Sequence, residues 1–131
     1  MIKLKQLKKY KFSIIVALII LYLSLANSHT FDKVSFLDSR YTDKIVHFSM
    51  YFGFMSVIIL ENRKKLVKSG RLLILALIPL FYGILMEIFQ GLFTSTRSPS
   101  IYDVMFNCTG IVASILIWQL LKSKMSEGVV K

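Results

Sequence analysis

Four long apolar stretches alternate with polar segments along the chain. A helix needs about 20 predominantly apolar residues to cross the hydrocarbon core of a bilayer. Tyrosine, serine and lysine side chains at the interface can extend an apolar run that is slightly shorter. The pattern therefore predicts an all-α protein, a four-helix transmembrane bundle that forms a single domain over residues 1–131. The predicted spans cover residues 12–28, 43–61, 71–93 and 101–121.

The composition favours a membrane protein over a soluble or nucleic-acid-binding one. Hydrophobic residues make up 55% of the chain and charged residues only 18%, and the mean hydropathy is +0.62. The net charge of +10 comes from short basic clusters that lie beside the apolar runs. Membrane topology and contact with anionic lipid explain such clusters. We therefore expect membrane lipids as partners, and no nucleic acid.

The uneven distribution of basic residues predicts the orientation in the membrane. Of the 17 Lys and Arg residues, thirteen lie before the first span, between the second and third spans, or after the fourth span. The other two connections contain four. Because positive residues accumulate on the cytoplasmic side, the sequence predicts that both termini and the middle loop are cytoplasmic.

The first span also has features of a secretory signal. A basic segment precedes it, and Ser24-Leu25-Ala26 matches a cleavage site. Cleavage would leave an odd number of spans, whereas an even number explains the distribution of basic residues. We therefore favour an uncleaved membrane anchor.

Polar residues inside three of the spans lie at one common depth. With a rise of about 1.5 Å per residue, His47 lies about 6 Å inside the outer end of its span, and Glu87 and Asn107 lie about 9 Å inside theirs. Ionisable groups at such depths are costly in lipid, so they should face the interior of the bundle. Three helices are thus predicted to bring polar groups together near the outer face.

Helical spacing places further polar residues on the same faces as these three. Asp43, His47 and Tyr51 recur at intervals of four residues on the second span, and the third and fourth spans each carry a similar polar pair. The three faces predict one polar pocket that opens outward. Its predicted ligand-binding residues are Asp43, Lys44, His47, Tyr51, Glu87, Gln90, Arg97, Asp103 and Asn107.

Each of these residues also has a purely structural interpretation. Asp43 can cap the N-terminus of a helix, His47 can be a hydrogen-bonded packing residue, and Arg97 can be a solvated loop residue. Glu87 has the weakest structural alternative, because a carboxylate inside an apolar helix is costly. It would then be a buried polar clasp between helices.

The single cysteine, Cys108, excludes an intramolecular disulfide, and the chain lacks the Cys and His spacing typical of a metal site. Cys108 lies within an apolar span, where a free cysteine is a small packing residue. No metal and no cofactor are therefore predicted.

Taken in order, the polar residues resemble those of the VanZ-like family of small bacterial membrane proteins. The second span carries DKIVHFSMY, the third carries Glu87 and Gln90 as E-x-x-Q, and the segment from Arg97 reads RSPSIYDVMFNCTG. The resemblance covers roughly residues 40–120. It implies a multi-pass protein of the bacterial cytoplasmic (inner) membrane. It also implies a link to tolerance of glycopeptides or lipoglycopeptides, because the family is named after an accessory protein that lowers susceptibility to teicoplanin. It supplies no reaction.

Three functions are compatible with the predicted pocket, and we favour the first. The first is binding or modulation of a cell-envelope lipid headgroup, glycan or lipid-linked wall precursor, with Lys44 and Arg97 facing its phosphate or carboxylate. The second is an intramembrane hydrolase or transferase with His47 or Glu87 as general base, although the chain has no G-x-S-x-G motif. The third is a small proton-coupled exporter, although Glu87 lies nearer one face than the midplane site of such proteins.

Overall fold

The structure is a computed structural model that describes residues 4–26, 39–66 and 69–128, with all side chains in these ranges except those of residues 5, 6, 39, 40, 69 and 125–128. This part of the chain forms helices and no strand. The α-helices are α1 (Leu4–Lys9), α2 (Lys11–Leu25), α3 (Ser39–Asn62), α4 (Ser69–Phe93) and α5 (Ile101–Gly128), and a short 3₁₀ helix (Arg63–Lys65) follows α3.

Three of the helices are long enough and apolar enough to cross a membrane. Their candidate spans are Tyr41–Lys65, Gly70–Phe93 and Ile101–Lys124. Helix α2 is also apolar but has 15 residues, fewer than the roughly 20 that a full crossing requires. The predicted all-helical fold is confirmed for the described residues, and three to four of their helices are suited to a membrane.

Two helices extend beyond the apolar stretches that predicted them. Helix α3 begins at Ser39 rather than near residue 43, and α5 continues past residue 121 to Gly128. Backbone hydrogen bonding does not require apolar side chains, so a helix continues into its polar flank until a cap or turn ends it. The apolar length of a sequence therefore predicts the middle of a helix better than its ends.

Helix α3 lies at the centre of the bundle and pairs most extensively with α5. Its Tyr51 and Met55 are fully buried. Gly110 of α5 lies directly against the α3 backbone, because a Cβ at this position would meet the carbonyl oxygen of Phe48 and would lie 2.9 Å from the nitrogen of Phe52. Small residues permit such close approach of two helices, so a glycine at residue 110 determines how closely α3 and α5 pack.

Helix α2 is attached to the bundle by hydrogen bonds at both ends and in its middle. From α4, Tyr82 Oη donates to the carbonyl oxygen of Ala17 at 2.6 Å, and Gln90 Nε2 donates to that of Ser24 at 3.0 Å. Glu61 of α3 accepts hydrogen bonds from backbone N–H groups in the first turn of α2. Gln90 and Glu61 thereby satisfy backbone groups that a helix terminus otherwise leaves unpaired, whereas Ala17 lies in the middle of α2.

The outer faces of the bundle carry large apolar side chains. Leu73, Phe81 and Leu92 on α4, together with Leu116 and Leu120 on α5, are each more than half exposed. Soluble monomers rarely expose apolar surface this extended. The surface is that expected of helices that contact lipid.

The two ends of the bundle differ in character. We call the end at which α3 begins, α4 ends and α5 begins the site end. It contains the N-termini of two helices, whose dipoles favour negative charge. The opposite end carries the basic segment Arg63–Lys65 and Lys122, whose ammonium donates to the carbonyl oxygen of Leu66 at 3.1 Å.

Candidate functional site

The imidazole of His47 lies at the centre of a polar cluster to which three helices contribute. His47 is 3% exposed, and its Nδ1 lies 3.1 Å from Oδ1 of Asn107 on α5. The same nitrogen lies 3.9 Å from Oε1 of Glu87 on α4. On the other side of the ring, Nε2 lies 3.8 Å from Oδ2 of Asp103 on α5. One buried ring thus connects α3 with both α4 and α5.

The contact with Asn107 determines which nitrogen of the neutral His47 ring carries the proton. An amide oxygen only accepts hydrogen bonds, so Nδ1 donates its proton to Oδ1 of Asn107. In this tautomer Nε2 carries a lone pair, which faces Asp103 at 3.8 Å. That distance is beyond hydrogen-bonding range. The imidazole and the Asp103 carboxylate therefore face each other without a direct hydrogen bond.

Glu87 connects α4 to the start of α5. Its Oε2 accepts a hydrogen bond from the backbone N–H of Ser100 at 3.1 Å. The carbonyl of Ser100 in turn accepts the N–H of Asp103 at 3.1 Å, which begins α5. The other carboxylate oxygen, Oε1, is buried and has no hydrogen bond among the described residues. One oxygen of Glu87 thus joins α4 to the start of α5, while the other faces the ring of His47.

Arg97 and Asp43 form the exposed edge of the cluster. Nη2 of Arg97 donates to Oδ1 of Asp43 at 2.9 Å, and the Asp43 side chain is 37% exposed. This ion pair joins the connection between α4 and α5 to the beginning of α3. Because the pair is partly solvated, Arg97 can exchange Asp43 for another anion. The free-energy cost of this exchange is far lower than it would be for a buried pair.

Gly83, one turn before Glu87 on α4, allows α4 to pack closely against α3 and α5. A Cβ at Gly83 would lie 3.1 Å from Nδ2 of Asn107 and 3.1 Å from Cε1 of Tyr51. Tyr51 and Asn107 are both buried. The cluster therefore continues inward from His47, with Tyr51 as its deepest polar member.

Three buried polar atoms in this part of the bundle have no hydrogen-bond partner among the described residues. They are Tyr51 Oη, Glu87 Oε1 and Asn107 Nδ2, and each belongs to a different helix. Buried polar groups in proteins are nearly always hydrogen-bonded to protein, water or ligand. The three atoms are therefore a hydroxyl, an acceptor and a donor that remain available to water or a ligand.

Seven of the nine predicted ligand-binding residues lie in or around this cluster. These seven are Asp43, His47, Tyr51, Glu87, Arg97, Asp103 and Asn107. That they bind a ligand stays a prediction.

Of the remaining two residues, Gln90 lies away from the cluster, whereas Lys44 lies at its exposed edge. Gln90 donates to α2 at Ser24, because a spacing of three residues turns it by about 60° around α4 away from Glu87. Lys44 lies at the edge, where its ammonium is 5.9 Å from the ring centre of Tyr41 and 5.8 Å from that of Tyr102. These are cation–π distances.

Sequence patterns missed the contribution of the Ser100 backbone. Its N–H holds Glu87 in place, and a backbone amide has no side-chain signature in a sequence. The available signal was indirect, since a serine immediately before an apolar run is typical of the start of a helix.

Comparison with known proteins gives a family for the chain. The family model described as VanZ/LLP1 matches residues 3–122. Comparison with curated proteins and comparison with solved structures gave no match. The family match covers α2, α3 and α4 in full, α5 as far as residue 122, and every residue of the polar cluster, which confirms the resemblance that DKIVHFSMY and the later motifs indicated. The chain belongs to the VanZ/LLP1 family.

Proposed function

We propose that the chain is an integral protein of the bacterial cytoplasmic membrane with both termini in the cytoplasm, and that its site end binds a ligand of the cell envelope. The proposed ligand is the headgroup of a lipid, a glycan or a lipid-linked wall precursor. The proposal rests on the buried atoms Tyr51 Oη, Glu87 Oε1 and Asn107 Nδ2, which lack partners among the described residues. Such atoms are costly in an apolar bundle, and a ligand that pairs with them offsets the cost.

The charges of the site end favour a ligand with two chemical parts. At the exposed edge, Arg97 and Lys44 suit a phosphate or carboxylate, which a guanidinium binds in bidentate fashion. The N-termini of α3 and α5 add donors and a favourable dipole. Further in, the oxygens of Glu87 and Asp103 suit the hydroxyl, amide or amine groups of a sugar or peptide. A lipid-linked sugar phosphate combines both parts.

A role in glycopeptide or lipoglycopeptide tolerance belongs to this proposal because of the family. The protein would influence tolerance through the ligand that it binds. Glycopeptides act on wall precursors, so a membrane protein that holds a lipid-linked precursor changes how much of it is accessible at the outer surface.

Arg97→Ala is expected to weaken the binding of a polyprenyl diphosphate by roughly 10- to 100-fold, because a charge-assisted hydrogen bond contributes about 1.5–3 kcal/mol. Native mass spectrometry of the purified protein in detergent, titrated with this lipid, measures the change. A polyprenol of the same length, which lacks the phosphates, is the neutral probe and is expected to bind weakly to both forms.

Glu61→Gln is the matched control for the Arg97 variant. Glu61 lies at the end of the bundle opposite the site end, and glutamine keeps a carbonyl oxygen for the N–H groups of α2. The control should bind the diphosphate as the wild type does. The proposal fails if the wild type binds the polyprenol and the diphosphate equally well, or if Arg97→Ala binds like the wild type.

The proposed orientation has a separate test by cysteine labelling. In a Cys108→Ser background, Ser98→Cys places a thiol in the connection between α4 and α5, and Lys64→Cys places one between α3 and α4. Both positions are exposed. A membrane-impermeant maleimide added to intact cells should label Ser98→Cys, and should label Lys64→Cys only after permeabilisation. The reverse pattern would invert the proposed topology.

An enzymatic function has less support. The imidazole of His47 lies within 4 Å of two carboxylates, which suits a general base. However, Ser49 is exposed, and the exposed hydroxyl of Thr109 donates to the carbonyl of Phe106 in its own helix. Neither hydroxyl is aimed at His47, so ligand binding is the function that the site supports best.

A further inference from the structure

Three side chains with metal-ligating atoms converge at the site end. Asp43 and His47 lie one turn apart on α3, and Asp103 lies in the first turn of α5. One ligating atom of each residue lies within 4.8 Å of the other two. Two carboxylates and one imidazole in such proximity form a mixed oxygen and nitrogen set for a metal ion, with coordination positions left open.

Hydrogen bonding prepares His47 to act as a ligand through Nε2. Its Nδ1 donates to Asn107 at 3.1 Å, which leaves the lone pair of the neutral ring on Nε2. A histidine that binds a metal typically donates its other ring N–H to a carbonyl or carboxylate oxygen, which fixes the tautomer and the ring orientation. Asn107 supplies that oxygen here.

The atoms that face each other across the cluster lack hydrogen bonds. Neither Nε2 of His47 nor the Asp103 carboxylate, whose side chain is 11% exposed, has a hydrogen bond among the described residues. They lie 3.8 Å apart. Two metal–ligand bonds of about 2.0–2.2 Å each span such a separation. An ion between them would satisfy both groups at once.

The local charge balance also favours a cation. Asp43, Glu87 and Asp103 contribute three carboxylates, whereas the permanent cations of the cluster are two, Arg97 in contact with Asp43 and Lys44 at the edge. Glu87 and Asp103 have only His47 as an ion-pair partner among the described residues. Buried negative charge that nearby cations compensate only in part is unfavourable. A divalent cation beside His47 would compensate these two acids.

We propose that Asp43, His47 and Asp103 bind one divalent transition-metal ion, with Nε2 of His47 and one oxygen of each carboxylate as ligands. Mixed imidazole and carboxylate sets suit Mn²⁺ and Zn²⁺, whereas Mg²⁺ and Ca²⁺ prefer oxygen ligands. Arg97 contacts Oδ1 of Asp43, which leaves Oδ2 for the ion. Asn107 is a positioning residue, because it acts through the imidazole.

The proposed metal site differs from the sequence-based expectation that the chain binds no metal. That expectation rested on the spacing of Cys and His along the chain, whereas these ligands come from two helices that are distant in sequence. The inference goes beyond the proposed function, because the ion would bind whether or not a headgroup is present. Its open coordination positions would also accept a phosphate oxygen of such a headgroup.

The test uses the purified full chain in detergent, stripped with EDTA and titrated with MnCl₂ alone while electron paramagnetic resonance reports free Mn²⁺. The wild type should bind one ion per chain saturably, and ZnCl₂ should displace it. His47→Gln and Asp103→Asn should each lower the affinity by more than ~10-fold, and Asn107→Leu by roughly 10- to 100-fold, the range found when a partner of a metal ligand is removed. Glu61→Gln, at the opposite end of the bundle, should bind like the wild type.

Absence of saturable binding of both Mn²⁺ and Zn²⁺ to the wild type would exclude the metal site, whatever the variants do. Unchanged affinity in His47→Gln and Asp103→Asn, with wild-type circular dichroism and elution volume, also excludes it. Titration with the polyprenyl diphosphate is independent of these results. A chain that binds the lipid and no ion loses only the metal site, and one that binds the ion and no lipid loses only the proposed function.

Discussion

Gly110→Ala is expected to lower the free energy of unfolding by about 1–3 kcal/mol, the range found for overpacking of a tight contact. The added Cβ would meet the carbonyl oxygen of Phe48 and would lie 2.9 Å from the nitrogen of Phe52. Both are backbone atoms of the central helix and cannot move aside as the end of a flexible side chain can. Helices α3 and α5 must therefore separate, and His47 must move away from Asp103.

Thermal unfolding of the purified protein in one detergent measures this loss. Gly53→Ala is the matched control, because it adds the same methyl group to α3 at a position where the Cβ meets nothing within 4 Å. Alanine is favoured over glycine inside a helix by about 1 kcal/mol, so the control should be as stable as the wild type or slightly more stable. An equal loss in both variants would show that α3 and α5 do not touch at Gly110.

Glu87→Leu is expected to destabilise the protein, whereas Glu87→Gln should leave its stability close to that of the wild type. Leucine removes the acceptor of the Ser100 N–H, and an unpaired backbone donor of this kind costs about 1–3 kcal/mol. Glutamine keeps a carbonyl oxygen in the same place. Comparison of the two variants thus separates the effect of the hydrogen bond between Glu87 and Ser100 from the effect of the Glu87 charge.

Unfolding of the three forms, followed by circular dichroism under identical conditions, measures the difference. Equal stability of Glu87→Leu and Glu87→Gln would contradict the hydrogen bond to Ser100. A large loss in Glu87→Gln would mean that the fold requires the negative charge rather than the acceptor, and the variant could not then be used to probe ligand binding.

The sequence was sufficient to predict the long apolar helices and the grouping of the side chains at the centre of the polar cluster. The apolar stretches gave the helices because burial of apolar surface determines where they lie. The interval of four residues between Asp43 and His47, and between Asp103 and Asn107, correctly grouped these side chains, because it is close to one helical turn. The similar depth of His47 and Glu87 within their predicted spans then placed the two side chains at one level.

Helical spacing could not predict contacts that depend on how the helices are rotated against one another. Gln90 shares a broad polar face with Glu87, but α2 lies against that part of α4 and takes its side-chain donor. The pair of Arg97 and Asp43 joins a connection to a helix, and no periodicity governs a connection. The tautomer of His47 likewise depends on Asn107, a residue of another helix.

The most direct measurement of the central claim compares a polyprenyl diphosphate sugar with the same polyprenyl diphosphate without the sugar, on the wild type and on Glu87→Gln. The wild type should bind the sugar-bearing lipid at least ~10-fold more tightly, since a hydrogen bond from a sugar hydroxyl to a carboxylate contributes about 1.5–3 kcal/mol. Glu87→Gln should lose this preference and still bind the plain diphosphate. A wild type without the preference, or a variant that keeps it, would contradict a ligand site at Glu87.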